Sequence, residues 1–284
     1  MRPIQPCSIV KALSVSLVAT ANNHVWDLGT GGIIGTLDEL DRHGLVYAGA
    51  GKDLAAAAAP AYRRTANGTV ALVAAASGSI RESAAATTTR AGINELRIGS
   101  DGVPDTADVA RIAATIAGAG DNADVVLAYH HNHVLEAGGR RTPQWQRQFA
   151  HDCLDAGAAL YVGHGAPRLH GIEIYHGRLI FYDLGNFIFQ TRTEQGFYDA
   201  EVWQSVVAEC HFDSSGQLHS IRLTPLQLDA IGIGGPADLA TRGRPSIAYG
   251  PAADAILDRL SKLSEPHGTA FERADGIAVI HPGG

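Results

Sequence analysis

Apolar and polar positions follow two registers along the first two-thirds of the chain. Short continuous apolar runs at residues 15–19, 45–48, 70–75, 125–129 and 160–162 read as buried strands. Helix-like stretches separate them. One covers residues 31–42, with Ile33, Ile34, Leu37 and Leu40 at helical spacing and Gly44 as its stop. A second runs from Asp105 to about Ala119 and presents Val109, Ile112, Ala113 and Ile116 on one face. A third starts at Thr142, has Pro143 in its first turn, where a missing N–H costs nothing, and ends near Gly157. The alanine run at 55–59, closed by Pro60, reads as one or two helical turns capped by Asp53. Asn67-Gly68, His176-Gly177 and Asp275-Gly276 each separate two strand-like runs, the signature of two-residue hairpin turns. The clearest hairpin pairs 172–175 with 179–182. Further strands are expected at 205–212 and 218–226, and a late helix at 251–264. The polar stretch 77–103, with Thr87-Thr88-Thr89, reads as a long loop, of a length usually functional or mobile. Strand–helix alternation followed by hairpins predicts an α/β sandwich with mixed sheets.

Composition narrows the class. Of 284 residues, 45% are apolar and 18% charged, enough apolar surface for a sizeable core and far from a disordered composition. No internal repeat or linker divides the chain, so residues 1–284 read as one domain. The net charge of −7 and the lack of a long basic run argue against a nucleic-acid partner. Cys7, Cys153 and Cys210 are too few and too scattered for a disulfide framework or a paired zinc motif. Arg2, the apolar stretch 9–19 and Ala19-Thr20-Ala21 imitate a secretory leader. Lys11 interrupts that stretch, and cleavage would fall just before Asn22-Asn23-His24, so a short helix leading into a strand is the preferred reading. No run reaches the ~18 apolar residues of a membrane span.

Seven of the thirteen histidines fall between His130 and His176. Three polar clusters follow predicted strands, where α/β enzymes place their sites: Asn22-Asn23-His24, His130-His131-Asn132-His133 and Gly163-His164-Gly165. Imidazoles and amide or carboxylate oxygens suit Zn, Mn or Fe. Arg140-Arg141 could hold a phosphate or carboxylate, since guanidinium forks match both. Asp27 reads as a cap for the following helix.

The segment Ala21-Asn22-Asn23-His24-Val25-Trp26-Asp27-Leu28-Gly29 resembles that of the capsule-biosynthesis CapA (poly-γ-glutamate synthesis) proteins, within the metallo-dependent phosphatase, calcineurin-like superfamily. The likeness continues through Tyr47-Ala48-Gly49-Ala50-Gly51, Val162-Gly163-His164 and Ile180-Phe181-Tyr182-Asp183-Leu184-Gly185-Asn186-Phe187. It implies a four-layer α/β/β/α sandwich of the metallophosphoesterase type and one or two divalent ions (Mn, Fe or Zn). Asn23, His24, His130 or His131, and His164 are the implied ligands. His24 would act on the leaving group as general acid, with His131 and Asp183 as further catalytic groups, and Arg140, Arg141 and Asn186 would contact a small-molecule, peptide or polyglutamate substrate. Two departures stand out. No strand ending in Gly-Asp precedes Asn22, as if the N-terminal strand of the fold were lacking. Pro167 also stands where a second ligand-type histidine is expected, leaving His133, His170 or Asp183 as substitutes. The chain as given reads as cytoplasmic, whereas members of the family are often membrane-anchored or exported.

The expected activity is metal-dependent hydrolysis of a phosphoester or a peptide-like γ-glutamyl amide. A metal-free histidine–carboxylate epimerase and a non-catalytic polymer-assembly protein are the alternatives.

Overall fold

In the computed structural model, which describes residues 6–282, the chain forms two compact units. Of the described residues, the first holds 6–134 and 144–161, the second 135–143 and 162–282. The mixed α/β architecture with several sheets is the one the pattern predicts.

The first unit begins with α1 (Pro6–Ala12), β1 (Leu17–Ala19), α2 (Gly29–Arg42), β2 (Val46–Ala48), β3 (Ala50–Gly51) and α3 (Leu54–Ala58). It continues with β4 (Ala61–Thr65), β5 (Gly68–Ser77), β6 (Gly92–Ile93), α4 (Thr106–Ala119), β7 (Val125–Asn132), α5 (Gln144–Asp155) and the start of β8 (Leu160–His164). α2 buries Ile33, Leu37 and Leu40, three positions at helical spacing, against Ala21, Leu45, Ala48, Leu72 and Ala74. α4 starts where Asp105 accepts the N–H groups of Ala107 and Asp108, both at 3.0 Å, satisfying two first-turn donors. Asp53 caps α3 by accepting the Ala56 N–H at 2.8 Å.

Parallel pairing of β5 with β7 runs from Val70↔Val125 to Ser77↔Asn132. It carries β7 three residues beyond the predicted end at Tyr129. His130, His131 and Asn132 therefore belong to the strand and are not a loop after it. β1 pairs only with β2 among the described residues. The stretch 77–103 is also more ordered than its polarity suggests. β6 pairs with β3, and isolated bridges join Ala76 to Glu95, Ala85 to Ile93 and Thr87 to Arg90. The first predicted hairpin turn shifts by one residue. Thr65 faces Gly68, so Ala66-Asn67 form the turn, and the Thr65 hydroxyl accepts the Asn67 N–H at 3.1 Å.

The second unit contains β9 (Ile172–Tyr175), β10 (Arg178–Phe181), β11 (Gln204–Phe212), β12 (Leu218–Leu228), β13 (Pro245–Ile247), α6 (Gly250–Ser264), β14 (Glu272–Ala274) and β15 (Ile277–Ile280). β9 and β10 form a hairpin whose turn residues His176 and Gly177 have φ of 50° and 75°, as a two-residue turn of this kind requires. β11, β12, β15 and β14 form an antiparallel sheet with β13 beside β12. Arg242 lies over the Trp203 ring at 5.2 Å in a small core with Val202 and Leu228. No helix among the described residues is long and apolar enough to cross a membrane.

Candidate functional site

Strand alternation sorts the histidine cluster of β7. Successive side chains point to opposite faces of a strand, so His130 and Asn132 share one face and His131 with His133 the other. On the first face, Asn132 donates to Gln146 of α5 at 2.8 Å, and His130 packs on Trp145 and Phe149. His130 is buried and its tautomer follows from its partners. The Ser77 hydroxyl gives its one proton to the Leu96 carbonyl at 2.7 Å, so it accepts from His130 Nε2–H at 2.8 Å. Nδ1 is then bare and accepts the Tyr161 hydroxyl proton at 2.8 Å. Burial pushes its pKa down to about 3. With both nitrogens engaged, His130 is a satisfied core imidazole.

The opposite face gathers the chemistry. His131 Nε2 lies 3.0 Å from Asn23 Oδ1, and the His133 ring stacks on His131 with centroids 4.9 Å apart. Burial, followed by the proximity of His24, lowers the His133 pKa. His24 is held locally. Its N–H donates to Asn22 Oδ1 at 2.9 Å, and its Nδ1 lies 3.0 Å from Asp27 Oδ2. Asp27 is therefore the partner of His24 and not a helix cap: α2 begins after Leu28 with no side-chain cap. Arg81 Nη2 stands 4.0 Å from the other Asp27 oxygen. His24 Nε2 has no hydrogen-bond partner among the described residues. His24, Asp27 and Asn22 line a cleft of about 370 Å³, walled by Val18 and Thr20 near β1 and by Gly32, Thr36 and Leu40 of α2. Gly49 fixes the approach to this turn. It has φ +105°, and a Cβ there would lie 2.7 Å from the Ala21 Cβ and 2.9 Å from that of Ala74.

The remaining expected residues belong to the second unit. His164 is half-buried at the end of β8. Asp183 is buried and accepts the N–H groups of Ala166 and Gly185, both at 2.8 Å. Desolvation raises its pKa well above the ordinary value, and those two donors oppose the shift. Its contacts tie a loop to a strand end. His170 is also buried, donating Nε2–H to the Gly139 carbonyl at 2.9 Å and accepting from the Thr142 hydroxyl at 3.0 Å. Asn186 donates to the Val202 carbonyl at 3.0 Å. Arg140 pairs with Asp199 and Glu201, and Arg168 pairs with the same two acids, while Arg141 is exposed. The sequence reading named neither Arg168 nor its acidic partners, which lie about 30 residues apart.

A catalytic metal site takes at least three protein ligands. Asn23 and His131 offer two neutral donors that face one another. Among the described residues, no group of three or more His, Cys, Asp or Glu side chains is placed to hold a metal ion. The side chains as arranged do not form a cage for a divalent ion. His24 and Asp27 meet on the cleft wall, and His131 stacks on His133.

A family model described as bacterial capsule synthesis protein PGA_cap matches residues 3–191. The uncharacterized protein y4sH of Sinorhizobium fredii is 30% identical over 361 aligned residues, covering 95% of this chain and 77% of that protein. The PGA biosynthesis protein CapA of Bacillus subtilis is 29% identical over 78% of this chain, which spans 53% of that relative's length. A solved phosphatase from Mycoplasma pneumoniae overlaps 66% of this chain and 55% of its own at 8% identity, with a TM-score of 0.28. An overlap that slight carries nothing about the four-layer arrangement or the reaction.

Proposed function

We propose that this chain, which belongs to the bacterial capsule synthesis PGA_cap family, hydrolyses a γ-glutamyl amide or phosphoester bond in capsule-type polymer metabolism, with His24 as the proton-carrying group. The observation that carries the reading is the His24–Asp27 contact of 3.0 Å on a substrate-sized cleft. A carboxylate on Nδ1 fixes the imidazole tautomer and orientation and leaves Nε2 to exchange a proton with substrate. In an amide cleavage, water adds to the carbonyl carbon and the C–N bond breaks. The bare Nε2 of His24 takes a proton from the attacking water as it adds, and the resulting Nε2–H protonates the departing nitrogen. Asp27 stabilises the imidazolium while it exists. The Asn23–His131 contact holds the other side of the turn, so the turn is anchored on both sides.

The test is turnover. Purified protein incubated with oligo-γ-glutamate or an aryl phosphoester should release product, and His24→Gln should not. Elemental analysis of protein purified without chelator tests the metal-dependent form. Stoichiometric Mn, Fe or Zn would mean that further ligands join Asn23 and His131. The same His24–Asp27 pair favours a second reading, proton abstraction and return at a peptide Cα. Deuterium entering the substrate from D₂O without chain shortening would select it. No turnover of either kind, with an unchanged role in polymer production after His24→Gln, would leave an assembly protein.

A further inference from the structure

The 77–103 segment walls a second cleft in the first unit, one that the reaction at His24 does not use. It has a volume of about 430 Å³, and its lining includes Leu54, Ala85 and Ile93 on the apolar side and Glu95, Arg97 and Arg111 on the polar side. The arginines are committed elsewhere. Arg111 donates to Asp108, to the Glu95 carbonyl at 2.6 Å and to Asn94 Oδ1 at 3.2 Å. Arg97 grips Asp108 through Nε at 2.7 Å and Nη2 at 3.2 Å, and Nη2 also stands 3.2 Å from Asp105. The Glu95 carboxylate takes no hydrogen bond and no ion pair among the described residues. Among the residues lining the cleft two acids (Glu95, Asp108) face two arginines (Arg97, Arg111), and both guanidiniums are held by Asp108 rather than by Glu95. Burial, then the neighbouring Asp108, raises the Glu95 pKa, and the nearby Arg97 and Arg111 charges oppose the shift.

We propose that this cleft binds a small primary ammonium compound, with its nitrogen on the Glu95 carboxylate and its aliphatic body against Leu54, Ala85 and Ile93. A half-buried anion without a donor gains most from a cation that brings its own N–H groups, since charge-assisted hydrogen bonds are the stronger class. The apolar wall then selects an amine with a short hydrocarbon chain over a bare cation. This inference is independent of the chemistry assigned to His24.

Calorimetric titration of the full chain with n-butylamine, n-butanol and butyrate at pH 7.5 tests it. The amine should bind saturably and at least tenfold more tightly than the alcohol or the acid. Glu95→Gln should weaken the amine at least tenfold, and Glu95→Asp should weaken it less. Tightest binding of butyrate, no saturable binding of the amine, or equal amine affinity in Glu95→Gln would each overturn the proposal. The selectivity of the unmodified protein stands as a test even if a variant unfolds.

Discussion

His130 makes the stability of the first unit depend on pH in a way that can be isolated. The native state keeps this buried imidazole neutral down to about pH 3, whereas the unfolded chain protonates it near the ordinary 6.5. Its contribution is therefore fully present above about 6.5 and is lost as pH falls toward 3. Each unit below 6.5 costs roughly 1.4 kcal/mol, so at pH 5 the loss reaches about 2 kcal/mol. His130→Phe keeps an aromatic ring against Trp145 and Phe149 but removes the ring nitrogens that bond the Ser77 and Tyr161 hydroxyls, at a cost of roughly 1–3 kcal/mol that does not vary with pH. Urea unfolding of both proteins, followed by circular dichroism between pH 8 and pH 5, reads the difference. Other titrating groups, such as buried His170, act in both proteins and cancel. The stability gap between the two should shrink by about 2 kcal/mol over that range. Parallel curves would show that His130 is solvated or charged in the native state, and the assignment of its two hydrogen bonds would fall.

Other perturbations test other parts of the account. Gly49→Val should destabilise the protein by at least ~1–3 kcal/mol, because its Cβ would collide with Ala21 and Ala74, and the displaced turn should also lower any activity that depends on His24; thermal melts and rates read both. Asp183→Ala should cost about 2–4 kcal/mol in a denaturant melt by leaving the Ala166 and Gly185 N–H groups without an acceptor. Asp105→Ala removes the cap of α4 and should cost about 1 kcal/mol on the same measurement. Asp27→Asn should lower kcat by about 10²-fold or more in steady-state kinetics, since the carboxylate orients the imidazole.

Local signals in the sequence carried far. The spacing of Ile33, Leu37 and Leu40 marks α2, Asp105 marks the start of α4, and His176-Gly177 and Asp275-Gly276 mark their turns, because each rests on residues close in the chain. What failed was long-range. Polar residues after Tyr129 read as a loop, yet β5 continues to Ser77 and supplies the ladder that keeps His130 to Asn132 in strand. Alternation along that longer strand would have separated His130 from His131, had its end been known. Asp27 was misassigned because an acid just before a helix resembles a cap, whereas a partner three residues upstream claims it. The Arg140, Arg168, Asp199 and Glu201 network joins residues brought together only by folding, and no spacing announces it.

The central claim is that His24, oriented by Asp27, moves a proton during bond cleavage. The most direct measurement is the single-turnover rate of oligo-γ-glutamate shortening by the unmodified protein and by His24→Gln, read by chromatography of chain length. Measurable shortening by the first and a rate lower by about 10²–10⁴-fold in the second are expected. Equal rates in the two proteins would contradict it.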